Sequence, residues 1–367
     1  MRGADVMQDT LFATRSLDSY VPKKHPLRRI QELLNRALAR LDSTFEQMYA
    51  DGGRESIPPE RLLRALALQA LYSVRSERLL CEQLEYNMLF RWFVGLSMDS
   101  EPWDHSTFSK NRDRLIDDDV VRKLFVQVLE EARLKQLLSK DHFSVDGTMI
   151  RAWASHKSFV AKNGRKPPKS GPPSNPDVDF RGTTRSRDTH ESTSDPEALL
   201  YRKSRGQAAV PSYLGHALME NRSGLAVDCR LTQAEGTAER DAALEMLDGV
   251  SGKGYRITVA GDKGFDHAAF VDACRERGIT PHVAQNNSNR RSRIDGRTTR
   301  HAGYAASQIK RKLIETLFAD VKQHGSMRQV KLRGVERVDM AFTVSIMVAN
   351  LRRMARLMVS PIGASTG

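Results

Sequence analysis

The chain has 367 residues, enough for two or three domains and for a core that needs no disulfide or structural metal. Lys and Arg number 58 against 45 Asp and Glu, and the formal net charge of +13 indicates a polyanionic partner, either nucleic acid or an anionic membrane surface. A membrane protein is disfavoured because no uncharged apolar run reaches the roughly 18–20 residues of a spanning helix. The three cysteines lie far apart without a CxxC pair, which argues against a disulfide framework and a zinc site. We therefore expect a soluble, cytoplasmic, basic protein.

The first part of the chain carries helical patterns and almost no strand signal, so residues 1–140 are predicted to form an all-α N-terminal region. One helix is expected to begin at Pro58-Pro59 and a second near Ser76. A third, from Asp104 to Leu115, has a basic face of Lys110, Arg112 and Arg114. Short helices with basic faces fit a helix-turn-helix-like DNA-binding unit, and they fit equally well a helical bundle with solvated charges.

Residues 156–206 differ in composition from the rest of the chain. They contain six of the fourteen prolines and a basic cluster that begins at Lys162. We predict a flexible basic loop inserted into a second domain of residues 141–358, with the part from Lys162 to His190 disordered without DNA. Residues 359–367 are expected to form a tail.

Around this loop, strand and helix signals alternate in the order β-β-β-α-β-α-β-α, which predicts an α/β domain with a mixed sheet and helices on its faces. The predicted elements are strands 143–150, 212–221, 225–233, 255–260 and 280–284, and helices 236–249, 267–277 and 305–323.

Three acids lie where such a sheet places its functional groups. Asp146 and Asp262 fall in or just after strands, and Glu315 lies in the last helix. Each of the two aspartates also has an ordinary structural explanation. Asp146-Gly147 is a common hairpin signal, and the segment around Asp262 is typical of a turn.

The helix around Glu315 carries a further pattern. At about 100° per residue, Arg311, Glu315 and Lys322 share one stripe, and Asp320 lies on another face. This pattern places a carboxylate between two cations beside the core. The alternative is a surface Arg311–Glu315 salt bridge, worth a few tenths of a kcal/mol.

The pattern Arg311-x3-Glu315-x6-Lys322 downstream of two strand-borne aspartates resembles the signature of bacterial insertion-sequence DDE transposases. The likeness is sharpest to the insertion-sequence-five group, which is related to the insertion-sequence-four group. It covers roughly residues 20–357 and includes the strings Val145-Asp-Gly-Thr, Ala152-Trp-Ala-Ser-His-Lys-Ser-Phe159, Gly215-His-Ala-Leu-Met-Glu-Asn221, Pro281-His-Val-Ala-Gln-Asn286 and Ile294-Asp-Gly-Arg-Thr-Thr-Arg-His301. One position differs from the related signature, which often has Tyr where this chain has Gln308.

The resemblance implies a ribonuclease-H-like catalytic domain whose catalytic and metal-binding residues are Asp146, Asp262 and Glu315. It also implies Mg²⁺ or Mn²⁺ as cofactor, because paired ions neutralise the oxygens that attack and leave in phosphodiester transfer. The expected function is a transposase that cleaves DNA at element ends and joins the 3′ ends to target DNA. A decayed or repurposed DNA-binding copy and a nuclease or resolvase of the same fold are the alternatives.

The C-terminal part of the chain supports DNA as the partner. From residue 285 to residue 356 there are sixteen Lys or Arg and five Asp or Glu, a typical phosphate-binding footprint. The expected DNA contacts are Arg290, Arg291, Arg293, Lys310, Arg311, Lys322, Arg328, Lys331 and Arg333. We expect binding to double-stranded element ends and target DNA, a homodimer or higher assembly on DNA, no membrane, and a bacterial cytoplasm or nucleoid.

Five other residues carry weaker signals. His216 points either into the core, which we favour, or toward the acids. Trp153 and Trp103 suit core or loop-anchoring roles better than base stacking. Thr237 is expected to cap a helix, with Arg240 as a DNA contact.

Overall fold

The N-terminal third of the chain is helical in the computed structural model, which describes residues 15–48, 56–162, 189–202, 206–252, 254–288 and 291–358. Its helices are α1 (Leu17–Tyr20), α2 (Pro26–Ala39), α3 (Asp42–Met48), α4 (Pro59–Leu71), α5 (Glu77–Tyr86), α6 (Met88–Val94), α7 (His105–Asp117) and α8 (Val120–Leu134). The predicted start signals are used as expected, because the Ser76 hydroxyl accepts the Leu79 N–H at 3.2 Å and the Asp104 carboxylate accepts the Ser106 N–H at 2.7 Å.

The basic face predicted for α7 is wrong in one residue. Arg112 is buried and bonds to the carboxylates of Glu77 and Asp113. It joins α7 to α5, so its charge is used inside the N-terminal region and is not offered to DNA.

The rest of the chain forms a mixed sheet with helices on both faces. Its strands are β1 (His142–Arg151), β4 (Leu199–Tyr201), β5 (Val210–Glu220), β6 (Ala226–Gln233), β7 (Thr258–Gly261) and β8 (Thr280–Val283), and the helices between them are α9 (Ala238–Asp248) and α10 (Ala268–Glu276). Among the described residues β1, β5 and β6 pair antiparallel, and β7 and β8 continue the sheet parallel to β1. The predicted mixed-sheet α/β domain behind a helical N-terminal region is confirmed.

The predicted helix 305–323 is two helices. The C-terminal helices are α11 (Gly296–Thr299), α12 (Ala302–Lys310), α13 (Leu313–His324) and α14 (Val335–Leu357). The chain turns between α12 and α13, where Glu315 N–H bonds to the Lys312 carbonyl at 3.1 Å in a tight i to i−3 turn. Because the helix is interrupted, the angular relation expected between Arg311 and Glu315 does not hold.

The two ends of the segment 156–206 form strands, where the sequence predicted a loop. Strand β2 (Phe159–Ala161) pairs with β3 (His190–Ser192), and β4 joins the edge of the main sheet beside β5. Three-residue strands carry too little periodicity to be recognised in a sequence. Residues 163–188, on which most of the predicted disorder falls, and the predicted tail lie outside the described residues.

The long helix α14 joins the two parts of the molecule. It packs against α2, α4, α7 and α8 on one side and against β6 and β5 on the other. Ile150 and Phe342 are fully buried in this shared core. A second core lies on the opposite face of the sheet, where Val145 and Val259 pack under α9 and α10.

No helix in the described ranges combines the length and apolarity that crossing a bilayer requires.

Close packing of α14 on β5 requires a glycine at position 215. A Cβ added to Gly215 would lie 2.7 Å from the ring tip of Phe342 and 3.0 Å from Ile150 Cδ1. We expect Gly215→Ala to lower the free energy of unfolding by about 1–3 kcal/mol, the usual cost of overpacking a core. Urea denaturation measures this change. Gly236→Ala is the control, since a Cβ there meets no atom within 4 Å, and equal stability of the two variants would contradict the packing argument.

Candidate active site

Asp146 and Asp262 lie side by side on neighbouring parallel strands. The register pairs Ser144 of β1 with Ala260 of β7, and continuing it by two residues brings Asp146 opposite Asp262. Adjacent strands lie about 4.7–4.9 Å apart, so the two carboxylates occupy the same edge of the sheet. The sequence placed both acids at strand ends, and the pairing brings them together.

The alternation of side chains along the strands fixes the face on which both acids lie. Val145 belongs to the core under α9 and α10, whereas Ile150 belongs to the core shared with α13 and α14. Asp146 is separated from Ile150 by an even number of residues, so it faces the α13 side. Asp262 continues β7 in extended conformation after Gly261, whose Cβ position faces Phe265 in the other core. Asp262 therefore faces the α13 side as well.

Local hydrogen bonds orient the two carboxylates. Asp146 accepts the N–H of Gly147 at 2.8 Å, and the pair lies within β1, so the hairpin turn considered for Asp146-Gly147 is not formed. Asp262 accepts the N–H of Gly264 at 2.7 Å and caps a short 3₁₀ turn over Lys263–Phe265. The turn alternative for Asp262 is thus correct, and the turn is what holds the carboxylate at the strand end.

Glu315 lies in the first turn of α13, which packs on β1. The helix is anchored by four buried side chains, Ile314, Leu317, Phe318 and Val321. The Glu315 side chain is exposed, and no hydrogen bond or ion pair to it is found within the described residues. The surface salt bridge with Arg311 is therefore not formed.

The structure brings the two aspartates together but does not bring Glu315 into contact with them. No three Asp, Glu, His or Cys side chains of the described residues are arranged closely enough to hold a metal ion. The fold therefore supplies two adjacent aspartates and, on a helix packed against β1, an exposed glutamate.

A fourth acid, Glu239, lies close to the aspartate pair and was not singled out in the sequence. It belongs to the first turn of α9, and its carboxylate lies against Gly147, with Oε1 2.5 Å from where a Cβ would be. Burial, followed by repulsion from Asp146 and Asp262, raises the pKa of Glu239 to about 7. Thr237, expected as the cap of this helix, forms no capping bond with its side chain. Only the fold reveals the role of Glu239, because an acid in a first helical turn is common in any sequence.

His216 lies on the same side of β1 as Glu239. It is 1% exposed, its Nε2 lies 2.8 Å from the Thr232 hydroxyl, and burial lowers its pKa to about 4. Its Nδ1 has no hydrogen-bond partner within the described part of the chain. A Cβ on Gly147 would lie 3.2 Å from this Nδ1 and 2.5 Å from Glu239 Oε1, so a side chain at position 147 would displace the Glu239 carboxylate. The His216 side chain is thus packed, as we favoured, and it lies on the face of the sheet opposite to the one that Asp146 and Asp262 occupy.

The predicted DNA contacts are spread over several elements. Arg311 donates from Nε to Gln308 at 3.0 Å, and Gln308 donates in turn to the His282 carbonyl at 2.7 Å. Arg293 is held by the Asp272 carboxylate at 2.8 and 3.0 Å. Lys310, Arg291, Arg328, Lys331 and Arg333 are exposed and Lys322 is half-buried, whereas Arg290 lies outside the described residues.

Two family models match this sequence. The model described as "Transposase domain (DUF772)" matches residues 15–114, and the model described as "Transposase DDE domain" matches residues 138–351, more than half of the chain. The chain belongs to the DDE transposase family. The transposase matches no curated protein, and the family models do not separate the insertion-sequence-five group from other members.

Solved structures that align with the transposase are distant. A piggyBac transposase synaptic complex with hairpin DNA is 10% identical, with a TM-score of 0.41 over 91% of this chain and 76% of the other. The Mos1 transposase paired-end complex with the left transposon end is 12% identical, with a TM-score of 0.26 over 86% and 84% of the chains. A Mos1 mariner paired-end complex with Mn has the same identity and TM-score over 91% and 97%. TM-scores this low carry no argument about function. The assignment of the chain to the DDE transposase family therefore depends on the family models alone.

The raised pKa of Glu239 predicts how stability depends on pH. A carboxyl group whose pKa rises from 4.5 to about 7 on folding stabilises the protein below pH 4.5, and this stabilisation is lost as the pH rises through 7. In the absence of divalent metal, we expect Glu239→Gln to gain stability relative to wild type between these pH values, by up to about 3 kcal/mol. Urea denaturation at a series of pH values measures the difference. Asp241→Asn, an exposed acid of the same turn, is the control, and parallel profiles for wild type and Glu239→Gln would contradict the prediction.

Proposed function

We propose that Asp146, Asp262 and Glu315 are the catalytic and metal-binding residues of this transposase. The observation that supports the triad most directly is that both aspartates are adjacent and face the side of the sheet on which α13 carries Glu315. Glu239 lies on the other side of β1, behind Gly147. It is therefore a neighbour of the metal site and not the third acid of the triad.

The side chains at this edge of the sheet fit a divalent cation. They offer carboxylate oxygens, the ligands preferred by Mg²⁺ and Mn²⁺. Burial is the main cause of the raised pKa of Glu239, and repulsion from Asp146 and Asp262 adds to it; a bound cation would relieve the repulsion. When bound, paired ions at Asp146, Asp262 and Glu315 would neutralise the attacking and leaving oxygens of the phosphodiester. We propose Mg²⁺ or Mn²⁺ as the cofactor.

The remaining residues of the site have positioning roles in this proposal. The turn capped by Asp262 and the Gly147 N–H hold the two aspartates at a fixed separation. Arg311 and Lys322 contact the DNA phosphates on either side of the cut, since guanidinium and ammonium groups bind phosphate oxygens. Neutral His216 supports the strand that carries Asp146.

We further propose that residues 1–140 recognise the element ends and that cleavage is followed by transfer of the 3′ ends to target DNA. Further contacts to DNA are assigned to Arg290, Arg291, Arg293, Lys310, Arg328, Lys331 and Arg333. The transposase is proposed to act as a homodimer or higher assembly, in the bacterial cytoplasm and on the nucleoid.

Replacing each acid by its amide tests the triad. Asp146→Asn, Asp262→Asn and Glu315→Gln keep the shape of the side chain but remove the charge that holds the metal, so each is expected to abolish metal-dependent nicking while leaving the gel-shift affinity for an element-end duplex largely intact. Glu336→Gln is the matched control, an exposed acid in the first turn of the neighbouring α14. Near-normal nicking by one of the three variants would remove that residue from the triad.

The contribution of the two cations is tested by single-turnover cleavage with saturating protein, which separates chemistry from binding. Arg311→Ala and Lys322→Ala are each expected to slow cleavage by up to about a hundredfold, because a misplaced phosphate is costly where geometry limits the rate. Lys312→Ala is the control, an exposed lysine next to Arg311. Asp320 does not serve as a control, since it forms a salt bridge with Arg352 at 2.9 Å. Equal, small effects at 311, 312 and 322 would exclude Arg311 and Lys322 from the site.

A further inference from the structure

A groove between the N-terminal helices and the catalytic sheet contains three of the DNA contacts proposed above, Lys322, Arg328 and Lys331. It encloses about 770 Å³, within the roughly 300–1,000 Å³ of pockets that hold one small ligand. Its wall combines an exposed aromatic ring with basic side chains. These residues, which define the Trp153 groove, are Arg75, Arg151, Trp153, Lys322, Arg328 and Lys331.

The charge of the Trp153 groove favours an anionic occupant. Within the described ranges, four of its cations have no carboxylate partner, namely Arg75, Arg151, Arg328 and Lys331. The acid of the wall, Glu77, is bonded to Arg112, so its charge is already neutralised. Unpaired cations along one groove are the usual feature of a site that follows a nucleic-acid backbone.

Trp153 gives the groove a flat apolar surface. Its side chain is 45% exposed, and Lys331 Nζ lies 5.6 Å from the centre of its ring. The other two tryptophans have structural contacts: Trp92 donates to Asp18 at 3.0 Å, and Trp103 stacks on Phe108 with ring centres 6.2 Å apart. An exposed ring beside cations is the arrangement on which nucleobases stack. The loop-anchoring role expected for Trp153 leaves this exposure unexplained.

The two elements that carry Asp146 and Glu315 both lead to this groove. Arg151 lies five residues after Asp146 on β1, about 17 Å at the rise of a strand. Lys322 lies seven residues after Glu315 on α13, about 10 Å at the rise of a helix. A DNA strand spans these distances with a few nucleotides. A strand whose phosphodiester lies at Asp146 and Glu315 can therefore extend into the groove.

Both walls of the groove have a constrained backbone. Ser73, between α4 and α5, has a φ of 54°, and Ser326, after α13, has a φ of 60°. Such conformations cost about 1 kcal/mol or more in a residue with a Cβ and persist where the surroundings hold them. The Ser73 hydroxyl donates to the His324 carbonyl at 2.7 Å, which ties one wall to the other and fixes the width of the groove.

We propose that the Trp153 groove binds an unpaired stretch of the DNA strand on which the acids act, with a nucleobase stacked on Trp153 and phosphates held by Arg151, Arg328 and Lys331. The proposal rests on the DNA-cleaving function assigned above and adds the form of the substrate. In a duplex both faces of each base are covered by its neighbours, so only an unpaired base offers a face to the ring.

Binding of a fluorescein-labelled oligo-dT strand to the full-length transposase, followed by anisotropy in EDTA, tests this proposal without any cleavage. Trp153→Ala is expected to weaken binding five- to about a hundredfold, the range for one stacked base, and Trp153→Phe to restore most of it. Tyr255→Ala is the control, since that ring is 41% exposed but lies away from the groove. Arg151→Ala and Lys331→Ala should each reduce the slope of log K against log[salt] by about 0.7.

Quenching of tryptophan fluorescence gives a second measurement of binding, and it does not depend on the Trp153→Ala variant. Oligo-dT is expected to quench the emission of the wild-type transposase, and the quenching should be absent in Trp153→Phe. Equal affinity of wild type and Trp153→Ala for the strand, or the same quenching in wild type and Trp153→Phe, would overturn the proposal. Failure of the triad appears in the nicking assay alone, so the two proposals are judged separately.

Discussion

The burial of α14 is the constraint on which the rest of the structure depends. This helix is apolar on nearly all sides, because the N-terminal helices cover one face and the sheet covers the other. Its buried polar side chains have partners: Asn350 bonds to the N–H and the carbonyl of Ala226 at 2.9 and 2.8 Å, and Ser345 donates to the Ala341 carbonyl at 2.8 Å. Asn350 thereby supplies strand-like hydrogen bonds to β6, which would otherwise present unpaired backbone groups inside the core. Since α13 packs on α14, the position of Glu315 follows from this burial.

The alternation of the strands divides the charged groups of the site between the two faces of the sheet. Asp146 and Asp262 face α13, and Gly147, one residue further along β1, opens the other face to Glu239 and His216. The absence of a side chain at position 147 lets the half-buried carboxylate of Glu239 approach the backbone beside Asp146. Burial and, after it, repulsion from Asp146 and Asp262 raise the pKa of Glu239. A cation bound at the aspartates would offset the repulsion.

The structural features that depend on local sequence pattern were predicted from the sequence. The long strands β1, β5 and β6, the helices α9 and α10, and the placement of Asp146 and Asp262 at strand ends were predicted from periodicity. The adjacency of the two aspartates follows from the parallel pairing of β1 with β7, which only the structure shows. The features that were missed depend on tertiary contact: the strands at the ends of segment 156–206, the inward turn of Arg112 and the approach of Glu239 to Gly147. The break between α12 and α13 was missed as well, because 311–312 contains neither Gly nor Pro and the turn there is hydrogen-bonded like a helix.

The shared core also limits what the groove beside the site can accept. One wall of the Trp153 groove belongs to α4 and α5, the other to the segments around α13 and β1, and both walls are anchored in the core that α14 holds together. Close-packed cores resist deformation, so a ligand cannot widen the groove without loosening α14. The DNA must therefore adapt to the protein, and exposing a base in a single strand costs less than separating two packed layers of helices. The same packing that positions Glu315 thus favours an unpaired strand over a duplex in the groove.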